Sequence, residues 1–221
     1  MNMKRLFYVF IMCMSVLAVN AQVVEKTFAD LKNEGNAAIK IKDYPKALDL
    51  YEQALVKWGD KPVADTSMIY NMGICAISAK NYEKAQKYFD QAILMNYKKV
   101  NSLLYKADAY RLTKNDAENL KTLQTALTIA PEDVKVKGKL ASYYVKEATV
   151  FYSKGSEIMT KVNEQITAGK LKTGEEQKLA EKQAVEAFRK ALPLVEKALG
   201  YDANNATAKQ LKTACEQAIK G

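Results

Sequence analysis

The chain has 221 residues, of which 48% are hydrophobic and 27% are charged, and this balance excludes a disordered protein. Only nine Gly and four Pro are present, so helices joined by short loops are favoured over many short strands. The net charge is +9, and because the basic residues are spread along the chain we interpret them as a solvated, lysine-rich surface.

The segment before Gln22 has the pattern of an export signal. Lys4 and Arg5 precede an apolar run over residues 6–19, and small side chains around residues 19–21 predict cleavage before Gln22. The run is shorter than the roughly 20 residues of a membrane-spanning helix, so a cleaved signal is favoured over an uncleaved anchor. We therefore expect an exported protein, periplasmic or associated with the cell envelope, with no membrane span after cleavage and no nucleic-acid partner.

Two neighbouring segments share one spacing of small and aromatic residues. Gly35 is followed after nine residues by Tyr44, and Gly73 is followed after nine residues by Tyr82. Both segments then repeat the pattern alanine, three residues, an aromatic residue, two residues, alanine. The residues in this pattern are Ala47, Tyr51 and Ala54 in the first copy and Ala85, Phe89 and Ala92 in the second.

Two further copies are less regular. The small residue of the first helix recurs at Ala107 and Ala141, at intervals of 34 residues. The third copy closes with Ala126 but has Asn119 where an alanine is expected, and the fourth closes only at Ala198. Helix starts are predicted where a capping side chain precedes the periodic residues, at Asp43, Asn81 and Asn115.

The fourth copy is stretched, because the interval from Ala126 to Ala198 is more than twice that of a regular repeat, and all of the extra residues enter after Ala141. Apolar residues continue at helical spacing up to a break at residues 168–174. This indicates one hairpin whose two helices are each lengthened by about 19 residues, with Pro193 expected to kink the second. The alternative, a degenerate fifth repeat, would need a turn near residue 150, where the sequence is apolar.

These repeats resemble the tetratricopeptide-repeat (TPR) family, whose 34-residue units are helical hairpins with small residues where the two helices touch. The resemblance implies an all-α, TPR-type α-solenoid of antiparallel helix hairpins, with about four repeats, an elongated last hairpin and a C-terminal capping helix. A TPR domain over residues 22–221 would follow the signal peptide at 1–21. Its expected parts are repeats at about 28–61, 66–99 and 100–133, the extended hairpin at 134–200 and the capping helix at 204–219.

Catalytic signals are lacking in the sequence. It contains no histidine, no glycine-rich phosphate loop and no CxxC pair, which removes His-based acid–base chemistry and most zinc sites. We therefore expect no enzyme activity, no cofactor and no metal. Cys75 and Cys215 lie far apart in the sequence, in different repeats, so we interpret them as small core residues rather than a disulfide.

The resemblance also implies a peptide-binding groove on the concave face, formed mostly by first helices. The residues it places there are Lys32, Asn36, Ile39, Lys40, Tyr70, Asn71, Ile74, Ile77, Asn101, Leu104, Asp108 and Arg111. Lys32, Asn36 and Asn71 match three of five residues with which chaperone-binding members hold a C-terminal carboxylate. Asn101 and Tyr105 stand where that site needs a Lys and an Arg, so a generic polar and aliphatic groove is the stronger interpretation.

The sequence therefore predicts a non-catalytic scaffold in the periplasm or cell envelope that binds a peptide or protein partner of unknown identity on its concave face. One alternative is a self-assembling structural subunit that forms a homodimer through the long hairpin. The other is a weak glycan- or lipid-binding module that depends on the lysines.

Overall fold

The computed structural model describes residues 25–59, 65–170 and 174–220, and all regular structure within these ranges is helical. The predicted export signal lies outside them. The helices are α1 (Phe28–Lys40), α2 (Tyr44–Trp58), α3 (Thr66–Ser78), α4 (Tyr82–Leu94), α5 (Lys99–Leu112), α6 (Asp116–Ile129), α7 (Val134–Thr167), α8 (Gly174–Tyr201) and α9 (Ala206–Lys220). The predicted all-α class is confirmed.

Consecutive helices pack into four hairpins, α1–α2, α3–α4, α5–α6 and α7–α8, and each hairpin packs against the first helix of the next. Helix α9 packs against α8 and closes the array, as the predicted capping helix should. The fold is therefore an α-solenoid whose first helices, α1, α3, α5 and α7, occupy equivalent positions.

The turns within the first three hairpins share one conformation. Lys42, Lys80 and Lys114 have left-handed backbone, with φ of 61°, 59° and 59°, and this reverses the chain after only a few residues. The next residue in each turn accepts a hydrogen bond from a backbone N–H in the first turn of the following helix. These capping residues are the predicted ones, Asp43, Asn81 and Asn115.

Glycines allow the two helices of a hairpin to approach each other closely. A Cβ atom on Gly35 would lie 2.6 Å from Cε1 of Tyr51, and one on Gly73 would lie 2.7 Å from Cε1 of Phe89. Both aromatic side chains are fully buried. These positions therefore require glycine, and the spacing of small and aromatic residues in the sequence reports a real contact.

The last hairpin is elongated as predicted. Helix α7 has 34 residues and α8 has 28, about twice the 13 to 15 residues of the helices in the first three hairpins. Helix α7 runs without a turn through residue 150, where a fifth repeat would need one. Helix α8 likewise continues on both sides of Pro193. Gly169, with a φ of +65°, lies in the predicted break between the two helices.

Two clusters of buried residues form the core. One lies among α1–α4 and includes Tyr51, Met72 and Phe89, and the other includes Leu140 and Val195 from the long hairpin. Cys75 and Cys215 are buried in different clusters and are not bonded to each other, which confirms their interpretation as small core residues. Burial raises the pKa of the Cys75 thiol to about 11.

Candidate binding groove

The three residues shared with the carboxylate-binding pattern lie near one another, but each has a partner within the chain. The hydroxyl of Tyr51 donates a 2.6 Å hydrogen bond to Oδ1 of Asn36, and the Asn71 side chain hydrogen-bonds the same hydroxyl. Lys32 forms an ion pair with Asp65. Since an intramolecular carboxylate offsets the Lys32 charge, this end of the groove is weakly equipped to hold an anion.

Tyr70 belongs to a cluster of aromatic side chains rather than to the open surface. Only 6% of it is exposed, and its ring centroid lies 5.9 Å from that of Phe89, 5.7 Å from that of Tyr97 and 6.1 Å from that of Tyr105. Nζ of Lys98 lies 4.9 Å from the Tyr70 ring centroid. Burial raises the pKa of Tyr70 to about 12. The exposed edge of this cluster is Tyr105.

The predicted aliphatic positions of α1 and α3 are half-buried. Ile39, Ile74 and Ile77 pack against the first core cluster, and each leaves part of its side chain open to solvent. Lys40 is exposed in the last turn of α1. This part of the surface therefore offers apolar contact area and few polar groups.

A deeper groove lies between α5 and α7. Three predicted residues, Asn101, Leu104 and Asp108, line a cavity of about 390 Å³ together with residues of α7, which include Lys135, Lys139 and Ser142. Nζ of Lys139 donates to both carboxylate oxygens of Asp108, at 2.6 and 2.7 Å. Asn101 is exposed at the rim, while Leu104 is buried.

A second cavity of about 390 Å³ adjoins the first and shares Asp108, Lys139 and Ser142 with it. Its other lining residues are Arg111, Asn119, Leu123, Tyr143 and Lys146. The two cavities lie side by side across α5, α6 and α7, and we call them together the α5–α7 groove. The structure thus brings Asn101, Leu104, Asp108 and Arg111 to one place.

Asn119 is the unusual residue of this groove. It occupies the position of Ala47 and Ala85 in the first two hairpins, twelve residues after the small residue of the first helix. Only 4% of Asn119 is exposed, and its side chain forms no hydrogen bond within the described ranges. Its amide can be reached from the second cavity. Since no fully buried side-chain polar atom in the described ranges lacks a partner, the amide atoms of Asn119 are open to the groove and available to a ligand there.

The groove is positively charged overall. Its cations are Arg111, Lys135, Lys139 and Lys146, and within the described ranges two carboxylates form ion pairs with them. Asp108 holds Lys139 and lies 3.6 Å from Arg111, while Asp116 accepts a 2.6 Å bond from Lys146. Lys135 is exposed and forms no ion pair in the described part of the chain.

Sequence reasoning missed the α7 side of this groove. Lys135 and Ser142 follow Asn101 and Asp108 by 34 residues, which is the interval from Ala107 to Ala141. Extending the groove positions by one more repeat would have identified both. Asn119 was recognised only as a missing alanine, and its burial beside a cavity depends on how α5, α6 and α7 pack.

Other kinds of site are not visible in the described ranges. Within them, no three His, Cys, Asp or Glu side chains lie close enough to hold a metal ion. No helix there is both long and apolar enough to cross a membrane.

Comparisons with known proteins agree with this architecture. Residues 70–134 match the family model of the tetratricopeptide repeat. The crystal structure of a TPR repeats protein from Bacteroides fragilis NCTC 9343 is 25% identical in sequence and gives a TM-score of 0.50. That match covers 86% of this chain and 98% of the other. A protein from Bacteroides ovatus ATCC 8483 has the same fold, with 14% identity, a TM-score of 0.53 and coverage of 88% and 98%. No curated protein matches the chain.

Proposed function

We propose that this tetratricopeptide-repeat protein is an exported, non-catalytic scaffold that binds a peptide segment of a partner protein on its concave face. The face comprises α1, α3, α5 and the first half of α7, and its principal contact region is the α5–α7 groove. The observation that carries the proposal is Asn119, whose amide opens into the groove and forms no hydrogen bond within the described ranges, at a position where the first two hairpins have alanine.

The chemistry of the groove suits a peptide rather than a small substrate. An amide that can both donate and accept matches a peptide backbone, and Asn101 and Ser142 add polar groups along the same path. Lys135 supplies positive charge without an ion-pair partner in the described ranges, and Arg111 shares the carboxylate of Asp108 with Lys139. The groove therefore favours a segment that carries a carboxylate near its bound backbone.

Export is the second part of the proposal, and it is supported by the basic residues and apolar run at residues 4–19. The test is mass spectrometry of the protein recovered from its native cell. A mature N-terminus at Gln22 is expected, and a protein that retains residue 4 would contradict export by signal cleavage.

The concave face is tested by photo-crosslinking in the native cell. A photoreactive residue replaces Asn101, which is exposed beside the groove, or Lys87, which is exposed on α4. We expect position 101 to capture a defined partner that position 87 does not. Equal capture from both positions, or from neither, would contradict binding in the groove.

A further inference from the structure

The outer part of the long hairpin, residues 150–170 and 174–190, carries a second groove that is separate from the concave face. Its cavity has a volume of about 930 Å³, and all of its lining residues in the described part of the chain belong to α7 and α8. The groove runs along α8 from Lys178 to Arg189, a rise of roughly 16 Å. We call it the hairpin groove.

Apolar side chains from both helices form part of its lining. Phe151 and Ile158 come from α7, and Leu179 and Val185 come from α8. Phe151, Ile158 and Val185 are half-buried, while 59% of Leu179 is exposed. An apolar strip of this kind on a projecting element is a feature of interaction surfaces.

Exposed cations accompany the apolar strip. They are Lys154, Lys178, Lys182 and Arg189, and none of the four forms an ion pair within the described ranges. Two carboxylates also line the groove: Glu181 accepts a 2.8 Å bond from the neutral amide of Gln177, and Glu186 lies 3.9 Å from Nζ of Lys190. With Lys190 the lining has five cations against these two carboxylates, so its net charge is positive.

In the rest of the array, a further helix packs across the surface formed by each pair of antiparallel helices. Each earlier hairpin packs against the first helix of the next one, and the base of the long hairpin packs against α9. At that base, Nζ of Lys212 on α9 lies 3.5 Å from Glu196 on α8. The hairpin groove has the same two-helix construction, but no third helix contributes to its lining.

We propose that the hairpin groove binds an acidic amphipathic helix of a partner protein. The apolar strip receives its apolar face, and the four unpaired cations face its Asp and Glu side chains. The groove's length corresponds to about three turns of such a helix. A symmetric pair of chains joined through this surface would bring two grooves of the same net positive charge together, so the charge favours a different, acidic partner over a homodimer.

The test begins with a library of random 16-residue peptides displayed on phage and selected on the chain lacking residues 1–21. Recovered peptides are synthesised and titrated by fluorescence anisotropy. We expect sequences rich in Asp and Glu, with apolar residues three and four positions apart, whose binding weakens as salt is added. A selection that returns no acidic peptides overturns the proposal.

Matched variants locate the binding. Lys178→Glu with Lys182→Glu should weaken binding about tenfold, and Leu179→Ala should weaken it a few-fold. Lys87→Glu with Lys209→Glu changes the net charge equally at exposed, unpaired lysines outside the groove, and should have less than about a twofold effect. Circular dichroism verifies that each variant keeps its helix content.

Three further outcomes would also overturn the proposal. The first is equal weakening by the two double variants. The second is retention on phosphatidylglycerol vesicles, lost in the Lys178/Lys182 variant, without any peptide binding, which would identify a lipid surface instead. The third is dimerisation that the Lys178/Lys182 variant abolishes, seen by light scattering, which would identify a second copy. None of these readouts uses Asn101 or Asn119, so they are independent of the concave-face proposal.

Discussion

Gly155 of α7 lies directly against the ring of Phe188 of α8. A Cβ atom on Gly155 would be 2.7 Å from Cε1 of Phe188, the same approach as that of Gly73 to Phe89. The two pairs differ in sequence separation, because the partners Gly155 and Phe188 lie about twice as far apart along the chain as Gly73 and Phe89. The outer hairpin therefore contains the close helix contact of a regular repeat, with a more distant turn.

These contacts predict the effect of adding one methyl group to each glycine. Gly73→Ala and Gly155→Ala should each lower the free energy of unfolding by about 1–2 kcal/mol, because overpacking outweighs the gain in helix propensity. Gly73→Ala should cost more, since Phe89 is fully buried whereas Phe188 lies on a hairpin with fewer neighbours. Denaturant unfolding followed by circular dichroism measures both.

Gly138 provides the matched control in the same helix as Gly155. Nothing lies within 4 Å of a Cβ atom built on it, so Gly138→Ala should raise the free energy of unfolding by about 0.5–1 kcal/mol. Stabilisation by Gly155→Ala as well would show that the ring of Phe188 moves aside without cost.

The sequence predicted the hairpins well where each repeat is compact. Gly35 and Gly73 precede their aromatic partners at one fixed spacing, so the contacts could be deduced by counting. The same spacing does not identify the Gly155–Phe188 contact, because the turn between α7 and α8 lies far from both residues and increases their separation in the sequence. The pattern of the second helix is nevertheless present: Ala184, Phe188 and Ala191 have the spacing of Ala85, Phe89 and Ala92.

The groove was less predictable than the fold. First-helix positions led to the prediction of Asn101 and Asp108 as groove residues, and the two line the same cavity in the structure. Which of them are open to solvent depends on neighbouring helices: Tyr70 is covered by Tyr97 and Tyr105, and this follows only from three-dimensional packing. Cavities likewise arise from the gaps between helices and have no pattern of their own in the sequence.

We expect asparagine at position 119 to make the fold less stable than alanine would. Asn119→Ala is expected to raise the free energy of unfolding by about 0.5 kcal/mol, because alanine has the higher helix propensity and the Asn119 side chain forms no hydrogen bond within the described ranges that would be lost. The reverse change, Ala85→Asn, should lower it by about 2 kcal/mol, since Ala85 is fully buried and a larger, polar side chain would have to be accommodated there. Denaturant unfolding compares the two variants. Loss of stability in Asn119→Ala would indicate that the amide has a partner within the fold.

Asp65 should give the protein part of its sensitivity to acid. Burial opposes its ionisation, but hydrogen bonds from Lys32, Ser67 and the Met68 N–H together hold the Asp65 pKa below its ordinary value. A lowered folded-state pKa adds stability at neutral pH that is lost as the pH falls through that pKa. The free energy of unfolding should therefore decrease below about pH 4, and Asp65→Asn should make this decrease shallower.

At neutral pH, Asp65→Asn should cost about 1 kcal/mol, because asparagine still caps α3 but cannot pair with the charge of Lys32. Asp43→Asn is the control, since Asp43 caps α2 and forms no ion pair within the described ranges. Denaturant unfolding at a series of pH values compares the two. Identical acid profiles for both variants would rule out a special contribution of Asp65.

We expect Pro193 to lower the free energy of unfolding of the protein relative to alanine at the same position in α8. It lies inside the helix and has no N–H to donate to the carbonyl of Arg189, so Pro193→Ala restores one hydrogen bond and removes a steric conflict. We expect a gain of about 1–3 kcal/mol in the free energy of unfolding, measured with denaturant. Pro45 lies in the first turn of α2, where proline is tolerated, so Pro45→Ala should give no comparable gain. Equal effects of the two substitutions would mean that α8 already accommodates its proline without loss, because the packing of the surrounding helices offsets the missing hydrogen bond.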